Sequence, residues 1–262
     1  MACLLLWLLG LFSAHAQQID VQEIVARSAQ VTNADWNAKP EYDYSDRVEQ
    51  KGHTKTYEEL MVLGSRYERL VAVDGKPLTG QQKADQQRKF DHAIAQRRTE
   101  TLAQRSQRIA NWDRSRKQNH LLIEQLTKAF DFKLEGTPTL DGRKVYELSA
   151  TPRPGYQPPN NQAKVLTGMI GTMWIDQKTF QWVQVEAKVV HPVSIGGFLA
   201  RVNPGTRFEL KQEPVEPGVW LPTSFSMRAR AKVLFLFSHN SQEKDTFSNY
   251  RKTSKENIPA KP

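Results

Sequence analysis

The chain has 262 residues, a formal net charge of +9, 39% hydrophobic and 25% charged residues, and one cysteine. That length and apolar content suit a globular chain with a real core, arranged as one large domain or two small ones. A single thiol excludes a disulfide framework and a thiolate metal site, and the excess positive charge points either to an anionic partner or to a solvated basic face.

Residues 1–16 read as a secretory signal peptide. Leu4 to Phe12 is apolar except for Gly10, and Ala14-His15-Ala16 is a small-residue cleavage pattern before Gln17. The run is too short to span a membrane, and no later run approaches that length. Cys3 lies inside it, so the mature chain, expected to begin at Gln17, carries no thiol. Export without disulfides suits a periplasm, where a domain of this size relies on its core. For an exported protein, positive charge points to anionic head groups, acidic polymers or an acidic partner more than to nucleic acid.

Ile19 to Trp36 has loosely helical apolar spacing (Ile19, Ile24, Val25, Val31, Trp36), and Pro40 ends it. A three-strand meander is expected next over Tyr42–Gln50, Thr54–Leu63 and Arg66–Val73, with turns at Gly52, Gly64 and Asp74-Gly75. Residues 80–130 hold no internal proline or glycine beyond Gly80 and predict two or three helices, the later one better buried. Phe90, Ile94, Leu102, Ile109 and Trp112 form a thin apolar stripe there. Arg97, Arg98, Arg105 and Arg108 make the surface basic. This segment reads as a lid over the open face of a sheet, as a basic helix for an anionic membrane surface, or as a solvated face.

Strands resume near Phe130 and over Arg143–Ala150. The proline-rich run Thr151-Pro-Arg-Pro-Gly-Tyr-Gln-Pro-Pro excludes helix and sheet interior and predicts an extended loop. From 165 to 250 the chain reads as a meander with one greasy face and one charged face. Val183, Val185, Phe208, Leu210, Phe225, Met227, Phe235 and Phe237 are expected to line one concave apolar surface, because each sits among same-parity apolar neighbours. Residues 251–262 read as a disordered basic tail.

Motifs for catalysis are lacking: there is no nucleophile elbow, phosphate loop, dinucleotide fingerprint or His-Glu-x-x-His. The histidines His53, His92, His120, His191 and His239 are scattered and read as surface or loop residues. Asp43 and Asp46 fall on opposite strand faces, which argues against paired acid–base work. Asp176 reads as a turn cap. No enzyme activity, cofactor, metal or nucleic acid is expected.

The block Gly171-Thr-Met-Trp-Ile-Asp-Gln-Lys-Thr-Phe-Gln-Trp-Val-Gln-Val-Glu, with Gly218-Val-Trp-Leu-Pro222 and Thr151-Pro-Arg-Pro-Gly-Tyr, resembles LolA/LolB-like outer-membrane lipoprotein-sorting proteins and their secreted bacterial relatives. The resemblance implies an α+β fold: a half-open antiparallel β-barrel, or curved sheet, with an N-terminal helix and helices covering the concave face. It implies a single domain over 17–250 with a helical lid over about 80–130. It also implies an apolar cavity for a lipid or acylated lipoprotein. Two functions remain: a periplasmic non-enzymatic carrier of an acylated ligand, or an envelope interaction protein whose apolar face is filled by its own helices.

Overall fold

The computed structural model describes residues 20–195, 200–233 and 237–254. The expected signal segment, Phe235 and most of the expected tail lie outside them.

Asp20 opens helix α1 (Val21–Ala38), its carboxylate accepting from the Gln22 amide. A 3₁₀ turn over Lys39–Glu41, with Pro40 inside it, ends the helix and turns the chain into strand β1 (Tyr42–Gln50). Strands β2 (His53–Val62), β3 (Ser65–Val73) and β4 (Lys76–Pro77) complete the meander. Helix α2 (Gly80–Thr99) and helix α3 (Leu102–Ala129) follow. Each starts at a threonine whose hydroxyl accepts from a glutamine amide three residues on, while that glutamine's side chain accepts from the threonine amide. The remaining strands are β5 (Phe130–Gly136), β6 (Thr139–Leu140), β7 (Arg143–Pro152), β8 (Met169–Asp176), β9 (Trp182–Val189), β10 (Val193–Ile195), β11 (Ala200–Val202), β12 (Arg207–Glu216), β13 (Val219–Val233) and β14 (Phe237–Lys252). A 3₁₀ helix, Ala163–Gly168, follows the proline-rich loop.

The strands form one antiparallel curved sheet, not closed, in the order β4-β3-β2-β1-β14-β13-β12-β9-β8-β7-β5. The first long strand therefore pairs with the last, in the middle of the sheet. The α2–α3 hairpin leaves from the β4 edge and returns at the β5 edge, so it crosses one face of the sheet from side to side. The fold class expected from the sequence is thus present: an α+β, half-open curved sheet with helices over its concave face.

Two core clusters sit under the helices. In one, Ile24 of α1 is fully buried against Leu148, Met173, Ile175 and Trp182. In the other, Ala129 and Phe130 meet Val165, Leu166, Met169 and Val189, sealed by the 3₁₀ helix. A third cluster, Val145, Val183 and Trp220 with Trp174, lies apart from these.

Candidate functional site

Helix α1 is buried along Ile24, Ser28, Thr32 and Asp35, one stripe at spacings of four, four and three. Most of that stripe is polar, against the expectation of an apolar face. The reason lies on the sheet, which offers donors: Trp182 Nε1 donates to Ser28 Oγ, and the Trp220 amide donates to Asp35 Oδ1 at 2.9 Å. Burial raises the Asp35 pKa to about 6, opposed by its bond from Trp220.

Between α1, α3 and the sheet lies a cavity of about 270 Å³. Its apolar lining includes Val25, Ile123, Leu126, Phe132, Met173 and Trp182, and Ser28, Thr32 and Asn33 add polar atoms. The Thr32 hydroxyl is buried there without a hydrogen-bond partner. His120 of α3, 2% exposed, stacks on Trp36 at 4.4 Å and lies 2.9 Å through Nε2 from Asn33 Oδ1. It is a core residue, not the surface histidine that its isolation in sequence suggests. Burial lowers its pKa, so the neutral ring is favoured.

Arginines fasten the helical hairpin. Arg97 donates to the carbonyls of Val62, Ser65 and Arg66, at 2.8 to 3.1 Å. Arg108 donates to the Leu63 carbonyl, the Ser65 hydroxyl and Glu100. Both grip the β2–β3 turn, where Leu63 has a positive φ of 46°. Arg116 lies over Trp36 at 4.2 Å and donates to its carbonyl, tying α3 to α1. Of the four arginines singled out for a membrane surface, Arg97 and Arg108 therefore turn inward, while Arg98 and Arg105 stay exposed. Helix α2 buries none of its residues, and Leu102, at the start of α3, is 85% exposed. Leu102 leaves the expected stripe because it is the first residue after the interhelical turn.

Toward β1, β2 and β14 the helix-covered face is charged. Lys39 lies over the Tyr44 ring at 5.2 Å and the Phe247 ring at 5.4 Å, and Arg66 covers Tyr44 at 4.8 Å. Around them stand Asp46, Glu59 and Asp245. Burial, then the neighbouring Asp245, raises the Asp46 pKa to about 7. Burial, then Glu68, raises Glu59 to about 7. Burial, then Glu243, raises Asp245 to about 6. Burial, then Arg66, lowers Lys39 to about 8. One oxygen each of Asp46 and Asp245 is buried without a hydrogen-bond partner. Single-strand parity could not show this cluster, because it assembles from the two ends of the chain. Asp43, on the opposite face of β1 from Asp46, instead accepts from the Met61 amide at 2.7 Å. Asp176 accepts from the amides of Lys178 and Thr179 at 2.9 Å, as a turn cap does.

The expected apolar wall is divided. Val185 and Leu210 pack against the α1 cluster, and Phe208 packs against the Phe130–Met169 cluster. Val183 joins the separate Trp220 cluster, because a bulge shifts the β8–β9 register beside it. Phe225 stands opposite Leu210 on one side and Asp245 on the other, and Met227 stands opposite Phe208 and Glu243. Only the backbone of Phe237 is described, paired with Val233, and Phe235 lies outside the described residues.

A larger groove, about 620 Å³, spans β7, β8, β9, β12, β13 and β14. Its lining includes Thr172, Glu186, Lys188, Arg207, Glu209 and Arg228. Among the described residues, no group of three or more His, Cys, Asp or Glu converges to hold a metal, and no helix is long and apolar enough to cross a membrane.

The class so defined is an open, curved antiparallel sheet whose concave face is covered by helices. No family model matches the chain, and no curated protein matches it. It is similar to a solved outer-membrane lipoprotein-sorting protein domain from Vibrio parahaemolyticus (10% identity, 88% of this chain, 94% of that chain, TM-score 0.34). It is also similar to a LolA superfamily protein from Nitrosomonas europaea (10% identity, 93% and 96%, TM-score 0.35). A third is the MucA/MucB complex of Pseudomonas aeruginosa (13% identity, 90% and 100%, TM-score 0.27). The first two are of the group that the sequence motifs resemble. At these scores the likeness has no weight for the site.

Proposed function

We propose that this chain is an exported, non-enzymatic binder or carrier of an acyl-chain ligand, held between the α1–α3 layer and the sheet. The cavity among Val25, Ile123, Leu126, Phe132, Met173 and Trp182 carries this reading. At about 270 Å³ it lies just under the roughly 300–1,000 Å³ of ligand pockets, so the helices must shift outward to admit a whole chain. The means of attachment favours such a shift. The α2 half of the hairpin and the start of α3 are held by arginines on backbone carbonyls and ring faces, and α2 buries none of its residues. Only the end of α3, from Leu122 to Ala129, is anchored in the apolar core. Polar fastenings exchange for water at little net cost, whereas an interdigitated apolar seam does not.

A second reading, an envelope interaction protein without a lipid ligand, rests on Ile24. That side chain is fully buried in the sheet's apolar floor, as a self-filling helix requires.

Native mass spectrometry of the purified chain, with titration of a fluorescent fatty acid, separates the two. The carrier reading expects a co-purifying lipid and saturable probe binding. It also expects Met173→Trp, which fills the cavity, to abolish binding while leaving the far-ultraviolet spectrum unchanged. A lipid-free mass together with no probe binding would sink it.

A further inference from the structure

The groove of about 620 Å³ lies away from the helix-covered pocket, and its cations are arranged unusually. Arg207 of β12 is directly opposite Lys188 of β9 on one side and Arg228 of β13 on the other. Directly opposed residues share a face and lie within side-chain reach, so three positive charges stand in one row across three adjacent strands. Like charges so placed repel, and a sheet evolving only for stability would pair them with acids. They are not paired. All three are exposed, and among the described residues none has an ion pair; Arg228 reaches only the Gln242 amide oxygen, at 3.4 Å. The carboxylates lining the groove are engaged elsewhere. Glu186 accepts from Gln184 at 2.6 Å, Glu209 is 3.6 Å from Lys211, and Glu243 accepts from Gln50 at 2.9 Å. The row's charge is therefore left for a ligand.

We propose that this groove binds a phosphate ester of headgroup size, with Lys188, Arg207 and Arg228 on the phosphate and the hydroxyls of Thr151, Thr172 and Ser226 on the organic part. Three cations call for more than one negative charge on a single group, and guanidinium forks match phosphate oxygens in pairs. The volume is that of an organic ligand pocket rather than of a bare ion. The hydroxyls stand in the same lining and offer both donors and acceptors. This site does not depend on the acyl pocket: a soluble ester tests it without any lipid chain.

The test is calorimetric titration of the purified chain with sn-glycerol 3-phosphate, glycerol and succinate at low ionic strength. Saturable one-to-one binding of the phosphate ester alone is expected, weakening as salt screens the row. Arg207→Gln and Arg228→Gln should each weaken it about tenfold or more, the loss of one charge-assisted contact. Lys89→Gln, at an exposed position on α2, should leave it unchanged. Should either arginine variant fail to fold, Lys188→Gln reads the same row. Phosphatidic acid vesicles, whose headgroup is a phosphate monoester, identify a lipid headgroup as the source if they compete with the ester, and a free ester if they do not. Absent saturable binding, equal binding of succinate, an unaffected Arg207→Gln, or equal loss in Lys89→Gln each overturns the proposal.

Discussion

Lys39 sets the electrostatics of the helix-covered face, because it is held among Asp46, Glu59 and Asp245 with little water to screen them. The sign of the resulting pH dependence follows from the direction of each shift. Carboxylates raised from 3.8 or 4.5 to about 6 or 7 bind more protons folded than unfolded. Their contribution is therefore fully present below about pH 4 and is lost as pH rises through about 7. Lys39, lowered from 10.5 to about 8, acts oppositely: its contribution is lost as pH falls from about 10.5 to about 8. The depressed carboxylates Asp74, Glu100, Glu135 and Glu216 act below this window, since they lose their partners only when protonated. Asp35, raised to about 6, acts with the raised carboxylates, whereas His120, lowered by burial, acts against them as pH falls through 6.5. Arg66, Arg116, Glu68 and Glu243 also face the cluster. The melting temperature should thus be higher near pH 5 than near pH 7.5 and should pass through a minimum between about 7 and 8. Asp46→Asn with Glu59→Gln should flatten the acid limb. A melting temperature that rises steadily from pH 5 to 7.5 would show that burial does not govern these groups.

Within the α2–α3 hairpin, apolar anchoring is confined to the end of α3, where Leu122, Ile123, Leu126 and Ala129 enter the core, while α2 and the start of α3 are held mainly by polar contacts. Arg97 and Arg108 carry the hairpin's contact with the β2–β3 turn, and Arg116 carries its contact with α1. Arg97→Ala with Arg108→Ala removes hydrogen bonds from four backbone carbonyls that water can reach once the helices lift. Global stability should fall by no more than about 1–3 kcal/mol, whereas amide exchange in 80–120 should quicken many-fold, since local opening needs fewer bonds broken. If exchange quickens equally in β8 and β9, the hairpin is part of the global core and not a lid. The sequence made the helices and the β1–β3 meander legible, because their periodicity and turn glycines are local. It did not show which arginines turn inward. Arg97 and Arg98 are adjacent and chemically identical, and only the position of the Leu63 turn across the sheet separates them. The same holds for α1, whose buried polar stripe depends on Trp182 and Trp220, far along the chain.

At the scale of the whole molecule, the open sheet is joined at its centre by the pairing of β1 with β14, an early strand with a late one. Strand β14 is long and polar, with Ser238, Asn240, Gln242, Lys244 and Asp245 in it, so although it lies within the meander expected over 165–250, its composition does not show which strand it pairs with. What fixes it is contact. Tyr44 lies 5.9 Å from Phe247 and 5.2 Å from Tyr250, and the Tyr250 hydroxyl donates to the Pro222 carbonyl at 2.6 Å. Without β14, the β1–β3 unit would connect to β12–β13 only through α1 and the hairpin, and two mid-sheet strands would become exposed edges. These are contacts of very high sequence separation, which are the slowest to form. A chain ending at residue 236 should therefore fail to unfold cooperatively, and should aggregate through its β1 and β13 edges. A chain ending at residue 254 should melt like the full-length protein, because Thr253 is the last buried residue described. A synthetic peptide of residues 237–254 should restore a cooperative transition to the shorter chain by adding back the missing strand. Recovery of the full-length melting temperature by the 236-residue chain alone would show that β1–β3 and β5–β13 are two units that fold without the central pairing.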